Sequence, residues 1–324
     1  MPAQSLTVEL WRGPAVESRH DVHAVLMDGR GKVKAVYGDA DRATFPRSSL
    51  KPLQAIALME TGAAAAYGLS NAEIALACAS HSGEKNHVQT AANWLARIGL
   101  DENALQCGAH APYASSCSPA TILSNNCSGK HTGMLTLCLH MKQDHAGYVE
   151  FNHPAQHKIM MTVGEMCGVA VTHASCGIDG CSAPNPIMPL SALAAGFARF
   201  MNPDSLGIAR GTACRHLYQA MVEHPELVGG TGRLDTVLMK AAAGKIMCKI
   251  GGEGVYACVI PEHDTVIALK AEDGHIRAAQ AGLFAILENH GLADTAVLDA
   301  ARETALPVQK NWRGIEVGNL RVSI

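Results

Sequence analysis

The chain has 324 residues, 26 of them basic and 29 acidic, with 4% aromatics. That length suits about two domains' worth of chain. The balanced charge, free of long like-charge blocks, excludes a nucleic-acid or anionic-membrane footprint; few aromatics argue against base stacking, and no run of about 18 apolar residues offers a membrane span.

The opening "MPAQSLTVELWRG" lacks the basic and apolar regions of a secretory signal. Eleven scattered cysteines then read as reduced thiols in a cytoplasm, not as a disulfide framework. Alternation predicts strands over 6–13, 22–29 and 33–39, with Asp28-Gly29 as a hairpin signal. Helical patterns follow: one after Ser48 closed by Gly62, one over 71–79, a face formed by Val88, Ala92, Leu95 and Ile98, and another by Met134, Leu137 and Met141. A third face, Leu190, Leu193, Phe197 and Phe200, stops before Pro203. "GAAAAYG" reads as a helix end. A second hairpin is expected from 254–260 and 264–271 around Pro261–His263, then a helix over 277–290 ended by Gly291. Strands at both ends and helices between them predict an α+β fold, its antiparallel sheet joined from both termini, within a single domain over 1–324.

Chemistry concentrates in a few stretches. In "FPRSSLKP", Ser48 and Lys51 lie one helical turn apart, and Pro52 falls where a missing N–H costs little. Serine is a weak nucleophile until a base takes its proton, and a neutral lysine can be that base. The plainer reading makes Ser48 or Ser49 a helix N-cap. Lys249-x-Gly251, expected just ahead of a strand, repeats in order and placement the second lysine motif of serine β-lactamases and penicillin-binding proteins, with Ile250 in the middle place. "ASHSGEKNH" packs Ser80, His81, Ser82, Glu84 and His87 into one loop between helices; Ser82 is expected to cap the helix that follows.

"NNCSGKHTG" and "THASCGIDGC" gather thiols, imidazoles and Asp179. By donor chemistry Cys127, His131 and either Cys181 or Cys176 would be chosen for zinc, although plain burial of these cysteines is an equal alternative. "VGGTGRLDT" reads as a tight glycine turn before a helix.

Taken in order, "FPRSSLKP", "ASHSGE", "NNCSGKH", "GIDGC", "GTGRLD" and "KIGGEGVY" resemble the rhizobial-type, class 3 L-asparaginases, the "asparaginase II" family, over about residues 5 to 324. The resemblance implies a β-lactamase- and glutaminase-like fold and a homodimer. It implies two Ser–Lys tandems, Ser48 with Lys51 and Ser80 with Lys249. It also implies a Zn²⁺ site of Cys127, Lys130 and Cys181 with Asp179 adjacent, replacing His131 by a lysine that must lose its proton to bind metal. "Ser-Asn-Asn" at 124–126 matches the β-lactamase template's middle motif by letters, but the family points to Ser80.

The expected activity is hydrolysis of L-asparagine to L-aspartate and ammonia, with Ser48 as nucleophile and Lys51 as base. Arg47, whose fork matches a carboxylate, is the candidate for the substrate α-carboxylate. His81, Glu84 and Asp179 are further substrate-binding candidates, the two acids for the α-ammonium. A glutaminase, another β-lactamase-like serine amidohydrolase and a non-enzymatic zinc module are the rival readings.

Overall fold

The computed structural model describes residues 3–114 and 119–324. In chain order the strands are β1 (Leu6–Arg12), β2 (Ala15–Met27), β3 (Val33–Tyr37), β4 (Ala43–Thr44), β5 (Cys176–Ile178), β6 (Pro184–Pro186), β7 (Met188–Pro189), β8 (Met247–Ile250), β9 (Val255–Ile260), β10 (Thr265–Ala271), β11 (Gln309–Lys310) and β12 (Glu316–Ser323). The α-helices are α1 (Lys51–Glu60), α2 (Ala63–Ala66), α3 (Asn71–Ala77), α4 (Lys85–Arg97), α5 (Ser128–His140), α6 (Pro154–Cys167), α7 (Leu190–Met201), α8 (Ile208–Glu223), α9 (Pro225–Val228), α10 (Leu234–Ala241), α11 (Ile276–Asn289) and α12 (Thr295–Ala305). The chain forms two compact units: residues 1–49, 188–198 and 232–324, and residues 50–187 and 199–231.

The first unit holds the antiparallel sheet, ordered β11-β12-β1-β2-β10-β9-β8, with β3 also paired to β2. The expected union of the two chain ends is therefore present. β1 alternates, burying Leu6, Val8 and Leu10, so one face meets the core. β9 is buried at every position, the pattern of a strand covered on both faces. Helix α11 packs against β1, β2, β9, β10 and β12 and supplies Leu283, Phe284, Ile286 and Leu287 to this core. The β2–β3 hairpin turns where Asp28-Gly29 placed it, with Asp28 Oδ1 accepting from the amides of Arg30 (2.9 Å) and Lys32 (2.8 Å).

The second unit is helical, and α1 is its axis: residues 51–58 are all buried, and it packs on α3, α5, α6 and α8. Gly129 lets α5 approach α3, since a Cβ there would overlap the Leu76 carbonyl. "GAAAAYG" forms the short helix α2 of its own, introduced by Gly62 at φ +83°. At the end of α1, Glu60 accepts from Arg210 Nε (2.7 Å), Lys158 Nζ (2.8 Å) and Thr162 Oγ1 (3.0 Å). Among the described residues no helix is long and apolar enough to cross a membrane.

Burial pushes the Glu60 carboxyl up, but its bonds to Arg210 and Lys158 win and hold it below the ordinary glutamate range. A depressed carboxyl stabilises the fold above its unfolded value and loses that contribution as pH falls through the folded value. Glu60→Gln should therefore cost about 2 kcal/mol at neutral pH. In urea melts of the two proteins, the gap between midpoints should close in acid, below the ordinary glutamate range.

Candidate active site

In the first unit, Arg47, Ser48 and Ser49 begin a 3₁₀ turn that runs into α1. Neither serine is the helix cap: the N-cap position falls on Leu50, and the Ser49 hydroxyl instead donates back to Pro46 O at 2.7 Å. Arg47 sits at φ +52°, a left-handed backbone uncommon for a residue with a side chain. Ser48 is half-buried.

Lys249 stands ahead of the predicted strand, β9, as expected, but inside an additional strand, β8, at the sheet's end; "GGEG" is the turn between β8 and β9. The short apolar run "MCKI" has no alternation to announce it. Lys249 is fully buried, and its Nζ donates to Ile250 O at 2.8 Å. The glycines after it matter sterically. A Cβ on Gly251 would overlap Pro46 O and lie 2.9 Å from Val255 Cβ; one on Gly252 would lie 3.4 Å from Arg47 Cζ. The strand end carrying Lys249 thus packs directly on the turn carrying Ser48.

In the second unit, Lys51 opens α1 and is 2% exposed. Its Nζ donates to the carbonyl of Ala79, to Ser80 Oγ at 3.1 Å and to Asn126 O at 3.4 Å. Ser80 is held by its own amide, which donates to Val228 O at 2.9 Å. Ser82 Oγ donates to Gly229 O at 3.0 Å, and the Glu84 carboxylate accepts from Thr231 N (2.7 Å) and Thr231 Oγ1 (3.0 Å). The 226–231 loop is thereby stitched along the Ser80 loop.

One sequence expectation, the cap of α4, changes here. Ser82 does not cap α4; Glu84 occupies the N-cap position, and the Ser82 hydroxyl is spent on the neighbouring loop. His81 is buried, its Nε2 beside Ser128 Oγ at 2.9 Å and its Nδ1 accepting from Gly83 N at 3.2 Å, so both ring nitrogens have internal partners. Ser124 is likewise absorbed in a turn, donating to His110 O at 2.9 Å.

Cys127 sits at the N-cap position of α5, and Lys130 follows one turn later. Asp179, Cys181 and Ser182 belong to a tight turn closed by Asp179 N donating to Ala183 O (2.9 Å) and Ser182 N to Asp179 O (2.8 Å). That turn brings Cys181 Sγ within 3.0 Å of Lys130 Nζ, with Cys127, Lys130 and Cys181 all buried. The Cys127 thiol donates to Cys181, which with the Lys130 charge holds the Cys181 thiol far below the usual thiol range. The same bond drives Cys127 up. Burial pushes Lys130 down, but the two sulfurs and Asp179 together lift it above the ordinary lysine value. His131 places Nδ1 2.7 Å from Tyr148 Oη and also meets Cys181, and burial lowers its basicity. Among the described residues no group of three or more His, Cys, Asp and Glu side chains could hold a metal; the set implied by the resemblance has two such members, Cys127 and Cys181, and a lysine.

Sequence reasoning missed Asp235, which is fully buried and accepts from Ile250 N at 3.1 Å. An acid following a glycine turn reads as a solvated residue, and no local pattern marks it otherwise.

The profile of the family described as L-asparaginase II matches residues 8–322. Among solved structures the chain is similar to a β-lactamase from Mycobacterium bovis at 13% identity and TM-score 0.45, covering 88% of this chain and 92% of that one. No curated protein matches the chain.

Gly251→Ala should lower the melting temperature clearly, because backbone at Pro46 cannot yield as a flexible side chain would. Gly180→Ala, whose Cβ meets nothing within 4 Å, should leave stability within about 0.5 kcal/mol. Thermal melts of both variants compare the two positions.

Proposed function

The chain belongs to the L-asparaginase II family of asparaginase-type amidohydrolases, and on that premise we propose that it hydrolyses L-asparagine to L-aspartate and ammonia through a serine acyl-enzyme. The observation that carries the mechanism is the buried Lys51 amine, in contact with Ser80 Oγ at 3.1 Å and one turn after Ser48 along the chain. A neutral lysine has two N–H donors and one lone pair. With the donors given to the Ala79 and Asn126 carbonyls, the lone pair is left for a serine proton.

Ser48 Oγ attacks the side-chain amide carbon as its proton passes to Lys51. The C–N bond breaks, that proton leaves with the amide nitrogen as ammonia, and water then cleaves the β-aspartyl ester. Ser80, with Lys249, serves as a proton-transfer partner. Arg47 is kept for the α-carboxylate. Asp179 is kept for the α-ammonium, while the Glu84 bonds to Thr231 support a loop-clamping role for that acid. Glutamine differs by one methylene, worth about 1–3 kcal/mol in a pocket, so a glutaminase activity is the neighbouring reading.

Cys127, Cys181 and Lys130 are the residues proposed to hold Zn²⁺. Their donors fit: two thiols and an amine meet in one buried place, and an acidified Cys181 is the state a thiolate ligand needs. A zinc ion bound there by two thiolates would be nearly charge-neutral, and it would supply modest Lewis acidity and order to the turn holding Asp179 and Cys181. We also place the protein in a reducing cytoplasm, the compartment that would keep Cys127 and Cys181 as thiols able to take a metal, and expect a homodimer.

Ser48→Ala should fold and lose nearly all ammonia release from asparagine. Lys51→Arg should be equally inactive, because arginine cannot act as a base at accessible pH. Mass spectrometry of quenched reactions should find the aspartyl adduct on Ser48. An adduct on Ser80, the serine in contact with Lys51, exchanges the two roles, and activity on nitrocefin in place of either amide sinks the assignment.

Protein purified without chelator should carry stoichiometric zinc by elemental analysis. Cys127→Ala should raise KM more than it lowers kcat. A zinc-free sample folded but with no kcat, restored by zinc, would make the metal part of the chemistry.

A further inference from the structure

Asp235 occupies a position the reaction above does not use. It lies in the first turn of α10, fully buried, directly under β8. Its backbone and side chain grip β8 on both sides of Lys249: Cys248 Sγ lies 3.8 Å from Asp235 O, and Ile250 N donates to Asp235 Oδ1 at 3.1 Å. The other carboxyl oxygen, Oδ2, is buried, and the side-chain hydroxyl that meets the carboxyl is that of Tyr256. Neutral donors alone leave a carboxylate in a dry place costly, and opposite charge lowers that cost.

The charges within reach are few. Lys249 and Cys248 approach from β8, Tyr256 and Cys258 from β9, and Arg233 from the residue before α10. The two cations among them, Lys249 and Arg233, are the groups able to hold a carboxylate charged here. Lys249 in turn is wholly buried, with a carbonyl, Ile250 O, as a neutral acceptor.

We propose that Asp235 is the positioning residue for Lys249: it fixes the β8 backbone on either side of that lysine and supplies the buried negative charge against which its ammonium is held. Burial pushes the Asp235 carboxyl up, against the pull of Lys249, Arg233 and the Ile250 amide. This inference rests on the reading of Lys249 as part of the catalytic apparatus for its consequence, but not for its electrostatics.

The test separates the two. Asp235→Asn keeps an oxygen for the Ile250 amide and removes the charge; Asp235→Ala removes both. The lysine side chains of ¹³C-lysine-labelled protein are titrated by NMR, with the Lys249 signal assigned through Lys249→Met. In folded Asp235→Asn protein the Lys249 midpoint should fall by about 1 pH unit or more, since losing an opposite charge disfavours the cation. Asp235→Glu should recover part of that shift, and Asp235→Ala should melt below Asp235→Asn. The limb of the pH–rate profile for asparagine carried by Lys249 should move toward acid by the same amount. An unchanged Lys249 midpoint in folded Asp235→Asn overturns the inference. A shifted midpoint with an unmoved pH–rate profile upholds it and removes Lys249 from the chemistry instead.

Discussion

Three lysines are withdrawn from water in this protein: Lys51 at 2% exposure, Lys130 at 7% and Lys249 at 0%. A buried ammonium is costly unless acceptors or opposite charge meet it, and much of the local architecture follows from meeting that demand. Lys51 has two backbone carbonyls and a hydroxyl, Lys130 has a thiol driven to thiolate, and Lys249 has a carbonyl with Asp235 behind its strand. The three solutions differ in kind. Neutral carbonyls and a hydroxyl accept from the amine without carrying a charge of their own. A thiolate meets the ammonium with a full opposite charge.

The carbonyls around Lys51 belong to a loop, and loops hold position only if tied. The ties come from 226–231: Val228 O to the Ser80 amide, Gly229 O to Ser82, Thr231 to Glu84 and Glu226 O beside His87 Nε2 at 2.7 Å. Ser80, Ser82, Glu84 and His87, a reactive cluster by their letters, thus also tie down a second, glycine-containing segment. Gly230 at φ +113°, with a Cβ position 2.7 Å from Ser82 Cβ, shows why no side chain fits at that crossing.

Much of the sheet was legible in the sequence because its strands either alternate, like β1, or run as unbroken apolar segments between turn residues, like β9 and β10. The stop of α7 before Pro203 was equally legible. β12 was not, since "EVGNLRVS" owes its conformation to pairing with β1 and not to its own pattern. At the site, Ser48 and Lys51 could be singled out from spacing alone, because three residues along a helix is a local relation. The loop partners of Ser82 and Glu84, and the burial of Asp235, depend on segments about 150 residues away or on another element entirely, and single-residue chemistry pointed elsewhere for each. The neighbourhood of Lys130 shows the same limit: letters rank imidazole first, whereas the 3.0 Å contact of Lys130 Nζ with Cys181 Sγ exists only once the turn holding Asp179 and Cys181 is folded against α5.

The pairing of β1 with β12 sets Thr7 opposite Ser323. During synthesis, the edge of β1 emerges well before its partner, with about 300 residues made in between. The hydrogen-bonding groups along that edge stay open over that interval, when an unpaired strand is most able to recruit a wrong neighbour. The helical unit, built almost entirely from residues 50–231, has its chain complete far earlier. The nascent protein therefore passes through a long interval in which its helices have all their partners and its sheet does not, and chaperone demand should concentrate on the N-terminal strands.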